Sequence, residues 1–227
     1  SAMELFPSMF HDSTPLGPCP ALPTADVVFS ILQPDHPNGL QAQLTKLVAS
    51  FAASPQNPTL CGATIDESAG PVIVEQTAHI EPGSHLIGPC YVGHQAEIRH
   101  AAYVRQFSWI CSKAVVGHAS ETKHSILLPG AKAPHFNYVG DSILGTGVNL
   151  GAGTKISNLR NDGGEVHLRM DGARVGSGLR KFGAILGERC QLGCNSVTNP
   201  GVILGCDSQV HPNTTVTGVY SADSRHG

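Results

Sequence analysis

Residues 72–116 read VIVEQTAHIEPGSHLIGPCYVGHQAEIRHAAYVRQFSWICSKAVV, and this stretch carries the clearest pattern in the chain. Nearly every sixth residue is aliphatic, in the column Val74, Ile80, Leu86, Val92, Ile98, Val104, Ile110, Val116, Thr122, Leu128 and Pro134. Mostly small residues lie two places earlier: Val72, Ala78, Ser84, Cys90, Ala96, Ala102, Ser108, Ala114, Ser120, Ile126 and Lys132. The register slips near Pro134, and the aliphatic column returns at Leu144, Leu150, Ile156, Leu186, Leu192, Thr198, Leu204, Val210 and Val216.

A period of six fits neither a helix nor an isolated strand, and it is the hexapeptide signature of a parallel β-helix. One aliphatic side chain per strand fills the interior, and each coil buries its face only against neighbouring coils. We therefore predict an all-β fold, with a β-helix over residues 71–220, a polar loop at 157–173 and a tail at 221–227. The hexads resemble those of left-handed β-helices, and the handedness follows from that resemblance because left-handed crossovers are rare.

The first 70 residues lack hexads and are predicted to form an N-terminal arm, one helix and a linker. Residues 4–38 are rich in Pro and Ser and show no period. The helix is predicted over Gly39–Ser54, because its apolar residues recur three and four positions apart on one face. Those residues are Leu40, Leu44, Leu47, Val48 and Phe51. Residues 55–70 form the predicted linker.

The composition argues against binding of nucleic acid or a membrane surface, because 14 Lys+Arg face 17 Asp+Glu, a net charge of −3. Only 14% of residues are charged, which suits a surface hidden in an oligomer. No apolar run is long enough to span a membrane, and Ser1-Ala2-Met3 does not begin a secretory signal. Seven scattered cysteines indicate free thiols in the reducing cytoplasm.

Residues 18 apart should stack about 4.8 Å apart if each coil has 18 residues. Arg105 and Lys123 have this spacing. Because stacked like charges are unfavourable, either an anion such as phosphate lies between them or both side chains splay into solvent. His100 and His118 have the same spacing and should also stack. They are either metal ligands or ordinary exposed histidines.

Two further sets of residues are candidates on their chemistry alone. His135, in KAPHFNYVGD at the register slip, is a candidate general base or an ordinary surface histidine. Arg180 and Lys181 either contact a coenzyme phosphate or face solvent.

Two motifs resemble one known family. They are ETKHS around Lys123 and HFNYVGDSILGTGVNLGAGTKISN from His135 to Asn158. Together they resemble the acetyltransferase domain of the bifunctional bacterial enzymes that make UDP-N-acetylglucosamine. The resemblance implies transfer of an acetyl group from acetyl-CoA to glucosamine-1-phosphate or a related amino-sugar phosphate, by a cytoplasmic homotrimer whose sites lie between chains and need no catalytic metal.

The same resemblance implies roles for single residues. His135 matches the catalytic base, which takes a proton from the substrate ammonium so that the amine can attack the thioester. Arg105 and Lys123 match contacts to the sugar phosphate, in agreement with the stacking argument. Backbone N–H groups at a corner would hold the oxyanion.

The remaining matches concern the sugar and the coenzyme. Tyr138 and Asn149 match residues that hold the amino sugar, and Asn158 matches another substrate contact. Cys194 matches a small residue that lines the acetyl-CoA cleft. The family has a substrate lysine in the loop that has no clear counterpart here. Either His167 or Arg169 could replace it.

The chain also departs from this family, and two other functions stay open. No Gly-rich nucleotide motif precedes the hexads, so UTP chemistry is not expected here. One alternative is a metal hydratase of the γ-carbonic-anhydrase type, with His100, His118 and His124 as ligands across a subunit interface. The other is a non-catalytic module for oligomerisation or sugar-nucleotide binding, which coenzyme binding would argue against.

Overall fold

The structure, a computed structural model, describes residues 9–10, 15–23, 26–27, 29–52, 60 and 62–227. Within this part of the chain, most strands belong to three parallel eight-stranded sheets that form a three-sided β-helix. Sheet A contains β1 (Thr64–Asp66), β4 (His85–Ile87), β7 (Tyr103–Val104), β10 (Glu121–Lys123), β13 (Tyr138–Gly140), β16 (Lys155–Ile156), β21 (Val197–Thr198) and β24 (Thr215–Val216). Sheet B contains β2 (Val72–Val74), β5 (Cys90–Val92), β8 (Ser108–Ile110), β11 (Ser125–Leu127), β14 (Ile143–Leu144), β19 (Ala184–Leu186), β22 (Val202–Leu204) and β25 (Val219–Tyr220). Sheet C contains β3 (His79–Ile80), β6 (Glu97–Ile98), β9 (Val115–His118), β12 (Lys132–His135), β15 (Asn149–Leu150), β20 (Gln191–Leu192), β23 (Gln209–Val210) and β26 (Arg225–His226).

The interior of the β-helix confirms the predicted hexad column. The strands of the coils place their aliphatic hexad residues inward, where these pack against the equivalent residues of neighbouring coils. One such ladder in sheet B is Val74, Val92, Ile110, Leu127, Leu144, Leu186 and Leu204. The parallel β-helix predicted from the sequence is therefore confirmed, and its left hand stays a prediction from the resemblance.

The register slip lies earlier than the sequence predicted. Leu127 pairs with Ile110, and Ala133 pairs with Val116, so these residues occupy the interior in place of Leu128 and Pro134. The cause is the corner between β10 and β11, where His124 alone makes the turn with a φ of 43°. The coil is 17 residues long at this point, and Leu128 packs outside the β-helix instead.

The outer face of sheet B is apolar and is covered by the N-terminal region. Helix α1 (Leu40–Ala52) and a 3-10 turn (Ser30–Leu32) pack on this face. They bury the outward-facing side chains of Ile73, Tyr91 and Trp109. The prediction of the helix is confirmed: Leu40, Leu44 and Val48 are buried, and Leu47 and Phe51 are partly buried. The arm and helix therefore seal one of the three sides of the β-helix.

The hairpin β17 (His167–Met170) and β18 (Ala173–Gly176) is antiparallel and interrupts the coils. It begins inside the predicted polar loop, β1 lies inside the predicted linker, and β26 lies inside the predicted tail. No helix among the described residues is long and apolar enough to cross a membrane. The six described cysteines, Cys19, Cys90, Cys111, Cys190, Cys194 and Cys206, are free thiols.

Candidate active site

Two edges of the β-helix flank the outer face of sheet A, and most of the predicted site residues are divided between them. Edge AB is the corner from sheet A to sheet B, and edge CA is the corner from sheet C to sheet A. Edge AB carries Arg105, Lys123, His124, Asp141 and Asn158. Edge CA carries His100, His118, His135 and Cys194.

A buried carboxylate organises edge AB. The Lys123 Nζ donates to Asp141 Oδ2 at 3.0 Å, and the His124 Nδ1 lies 2.8 Å from Asp141 Oδ1. Burial alone would raise the pKa of Asp141, but the hydrogen bond and charge of His124, the charge of Lys123 and a hydrogen bond from Asn158 bring that pKa below its usual value. Asp141 is therefore ionised at neutral pH and holds both partners in place.

The Asp141 contact also orients the His124 ring. With Nδ1–H donated to the carboxylate, Nε2 is the ring nitrogen left for a ligand, as a donor in the protonated ring and as an acceptor in the neutral ring. This Nε2 is buried and has no hydrogen-bond partner among the described residues. A buried polar atom without a partner costs about 1–3 kcal/mol, so the arrangement favours a bound group that supplies one.

Tyr138 and Asn158 extend the same network across sheet A. The Asn158 Nδ2 lies 2.7 Å from Asp141 Oδ2 and 3.1 Å from the Tyr138 hydroxyl. Burial raises the pKa of Tyr138, and the nearby charges of Glu121 and Asp141 add to that effect, although the Asn158 hydrogen bond lowers it. Because its oxygen accepts from Asn158, the Tyr138 hydroxyl keeps its proton for donation to a ligand.

Arg105 and Lys123 occupy neighbouring coils, as their spacing predicted, because β7 and β10 pair in register. Each cation has its own carboxylate: Arg105 Nη1 lies 3.0 Å from Glu121 Oε2, and Lys123 contacts Asp141. The stack is thus stabilised by carboxylates of the same chain before any ligand binds. The sequence had suggested either a bound anion between the two cations or two side chains splayed into solvent, and neither alternative includes these carboxylates.

A cavity of about 780 Å³ opens beside edge AB. Four cationic side chains line it: Arg105, Lys123, Arg180 and Lys181. Asp35 and Asp141 are the acidic lining residues, and the arm contributes Leu32 and Gln33. Arg180 and Lys181, considered above for a coenzyme phosphate, therefore share a cavity with the two predicted sugar-phosphate contacts, and the excess of positive charge suits an anionic ligand.

Edge CA has a different character. The rings of His100 and His118 are stacked at 5.2 Å, as predicted, with an interplanar angle of 12°. His135 lies next to His118 in the ladder and is exposed, and its backbone N–H donates to Asn137 Oδ1 at 3.0 Å. His135 is not among the residues that line the cavity at edge AB.

Two more predicted residues lie away from that cavity. Asn149 is half-buried in sheet C. Cys194 is exposed on edge CA, two coils beyond His135, at a distance of about 10 Å by strand spacing.

The three histidines considered as metal ligands do not converge within one chain. His100 and His118 lie on edge CA, whereas His124 is bound to Asp141 on edge AB. Across the described residues, no three His, Cys, Asp or Glu side chains are placed to hold a metal ion.

Sequence reasoning missed Asp141 and Glu121, which fix the cations of edge AB. Both stand inside the quoted motifs, Glu121 in ETKHS and Asp141 in HFNYVGD, so a search for counter-charges near Lys123 would have found them. His124 was considered only as a metal ligand, because nothing in its spacing indicates the contact with Asp141.

Comparison with known proteins gives a consistent result. The family model described as the GMPPB C-terminal domain matches residues 86–224. The bifunctional sugar-1-phosphate nucleotidylyltransferase/acetyltransferase of Sulfurisphaera tokodaii is 40% identical over 147 residues, which is 65% of this chain and 37% of that protein. The bifunctional protein GlmU of Methanococcus aeolicus is 34% identical over 155 residues, 68% of this chain and 38% of that protein.

A shorter relative matches over most of both chains. The uncharacterized acetyltransferase YaiX of Escherichia coli is 27% identical over 194 residues, 83% of this chain and 84% of that protein. By contrast, the chain spans less than two fifths of the length of the two bifunctional relatives.

Proposed function

The chain belongs to the GMPPB C-terminal domain family, and from that premise we propose that it is an acetyltransferase that moves an acetyl group from acetyl-CoA to an amino-sugar phosphate. Glucosamine-1-phosphate is the acceptor we infer. The relatives named as acetyltransferases support the reaction class. We place the reaction in the cytoplasm.

One observation carries this proposal. Arg105, Lys123, Arg180 and Lys181 line one cavity, beside a network of Asp141, Tyr138 and Asn158 with hydrogen-bonding capacity for a sugar. Guanidinium groups bind phosphate through paired hydrogen bonds, and lysine adds a point charge. A sugar phosphate therefore fits edge AB in both charge and polarity.

His135 is the base in this proposal. It takes a proton from the sugar ammonium, and the amine nitrogen then forms a bond to the thioester carbonyl carbon. The carbon–sulfur bond breaks as the intermediate collapses, the coenzyme leaves as a thiolate, and the second proton lost by the nitrogen goes to that thiolate, which leaves a neutral amide and a free thiol. General base catalysis of this kind contributes about 10²–10⁴-fold to the rate.

The separation of the two edges is the reason to propose a homotrimer. His135 and Cys194 lie on edge CA, and the phosphate contacts lie on edge AB. Within one coil, strand β13 (Tyr138–Gly140) of sheet A runs from edge CA to edge AB, and its three residues span about 10 Å. A neighbouring chain packed over sheet A would form a cleft that joins the two edges and brings Asn149 of one chain toward the substrate of another.

The test is release of free thiol from acetyl-CoA with a panel of acceptors: glucosamine-1-phosphate, other amino-sugar 1-phosphates and unphosphorylated glucosamine. We expect turnover with a phosphorylated acceptor only, and mass spectrometry should find one acetyl group on its nitrogen. No thiol release with any acceptor would refute the proposal. Arg105→Gln should raise KM for the sugar phosphate and leave KM for acetyl-CoA unchanged.

A further inference from the structure

A second basic cavity lies under the β17–β18 hairpin, on the same A-to-B corner of the β-helix but in later coils than the cavity beside Lys123. Its volume is about 370 Å³. The residues that line it are Arg160, Val166, His167, Arg169, Arg174, Asn199, Pro200, Gly201, Thr217 and Gly218. We call it the hairpin cavity. Three arginines and a histidine line it, and no Asp or Glu among the described residues does.

The cations of the hairpin cavity are held close together. Arg160 Nη1 lies 3.0 Å from His167 Nδ1, and Arg174 Nη2 lies 3.3 Å from the same atom. Arg169 and Arg174 are directly opposite each other in the antiparallel ladder. Arg160 also forms an ion pair with Asp162 at the margin of the cavity.

Arg169 and Arg174 are both exposed and face each other across the hairpin. Like charges directly opposite each other on paired strands repel, and a bound anion would offset that repulsion. Several guanidinium groups around one small cavity are suited to an anion with more than one phosphate, because each can donate two parallel hydrogen bonds to phosphate oxygens.

We propose that the hairpin cavity binds the phosphates of a ligand that carries at least two, namely a nucleotide. This inference rests on the proposed function, which requires coenzyme A. Coenzyme A and a nucleoside diphosphate sugar share the necessary chemistry, and the experiment distinguishes them.

The position of the hairpin cavity relative to edge AB supports this reading. Arg160 follows Asn158 by two residues, and Asn158 contacts Asp141. Asn199 lies three coils beyond Lys123 in the same ladder, which is about 14 Å by strand spacing. A long ligand can therefore have its phosphates in the hairpin cavity and its other end beside Lys123 and Asp141.

The test measures binding by calorimetry on the full chain, with no acceptor present. The probes are coenzyme A, 3′-dephospho-coenzyme A, UDP-N-acetylglucosamine and inorganic phosphate. The variants are Arg169→Gln and Arg174→Gln, singly and together, and the control is Arg99→Gln, an arginine paired with Glu97 on a distant coil. We expect the double variant to bind one nucleotide about tenfold or more weakly, with a smaller dependence on salt, and the control to bind as the parent does.

The two sources give different outcomes. Weaker binding of coenzyme A and of its dephospho form to the same degree, with binding of UDP-N-acetylglucosamine unchanged, identifies the coenzyme, because both forms carry the two linked phosphates. Weaker binding of UDP-N-acetylglucosamine alone identifies a nucleotide sugar. If the double variant binds both nucleotides as tightly as the parent, the hairpin cavity is not a nucleotide site and the inference is overturned.

Two further readouts separate this inference from a structural role and from the proposed function. Removing opposed charges should leave Tm unchanged or raise it, whereas a structural role for the arginines predicts a lower Tm. Arginine-dependent nucleotide binding without acetyl transfer would refute the proposed function and keep the site. If the double variant still transfers acetyl groups, and its KM for acetyl-CoA and its nucleotide affinity equal those of the parent, the proposed function stands and the nucleotide site is refuted.

Discussion

Edge AB and edge CA are built by the same stacking of coils, yet they differ in what the stacking brings together. On edge AB, Lys123, His124 and Asn158 all contact the buried carboxylate of Asp141. On edge CA, His100 and His118 stack on each other and His135 follows them, exposed. One edge is therefore a closed network of opposite charges, and the other is a row of like groups.

The difference shows what a repeat can and cannot do. Coil stacking places equivalent positions about 4.8 Å apart whatever their chemistry. A fixed site needs a counter-charge that holds its members, and Asp141 supplies it on edge AB alone. On edge CA, the His118 Nδ1 lies 2.8 Å from the carbonyl oxygen of His100, so the row is held by the backbone and by ring stacking and not by a buried carboxylate.

The largest effect is expected from His135 on edge CA. His135→Ala should lower kcat for acetyl transfer about 10²–10⁴-fold, because the substrate amine would lose its base. His118→Ala removes the adjacent histidine of the same row and should have little effect on kcat. Stopped-flow or steady-state thiol release measures both. Equal turnover in the parent and in His135→Ala would remove His135 as the base.

The next effect concerns the stability of edge AB. Asp141→Asn leaves Lys123 without its counter-charge in a largely buried site, and should lower the free energy of unfolding by about 3 kcal/mol. Glu97→Gln removes one partner of the exposed Glu97–Arg99 pair on sheet C, and should cost less than about 1 kcal/mol. Denaturant unfolding measures both, and similar losses would contradict the special role of the Asp141 network.

A pH titration of stability sharpens the same contrast. The pKa of Asp141 is lower in the folded protein than its usual 3.8, so the unfolded chain binds this proton first as the pH falls. The stability from Asp141 is present above pH 3.8 and is lost as the pH falls through the folded pKa, by at most about 1.4 kcal/mol per pH unit. Denaturant midpoints of the parent and Asp141→Asn should therefore converge in acid, and a constant gap would argue against this account.

The smallest effect is expected at Arg105, which lies on edge AB but shares a half-exposed ion pair with Glu121. Glu121→Gln should change stability by less than about 1 kcal/mol, because exposed pairs are screened by water and salt. It should also free Arg105 for the substrate and lower KM for the sugar phosphate slightly. Thermal unfolding and initial rates test this prediction. A large loss of stability in Glu121→Gln would show that the Arg105–Glu121 pair behaves as a buried ion pair and would contradict it.

Much of the fold could be predicted from the hexads, and the errors are local. The columns around Val74–Val116 and Leu186–Val216 lie in the interior as predicted. The register between them was wrong at Leu128 and Pro134, since adjacent Leu127 and Leu128 are equally apolar and no pattern can choose between them. The choice depends on His124, whose left-handed backbone shortens the corner by one residue.

The candidate site could be predicted only in part. Stacking of Arg105 on Lys123 follows from the spacing, since a coil has a fixed length there. Arg180 and Lys181 could not be assigned to the same cavity, because the hairpin between them and edge AB follows no repeat. The like charges of Arg169 and Arg174 were likewise invisible until the hairpin register was known.

The amino-acid sequence determined the β-helix, its helix α1 and the family motifs, because each depends on residues a few positions apart along the chain. Only the tertiary structure decided which charges share a cavity, where Asp141 receives its partners, and how the N-terminal arm closes sheet B. Those features join segments far apart in the sequence, and their energies depend on burial and distance in space, which no local pattern records.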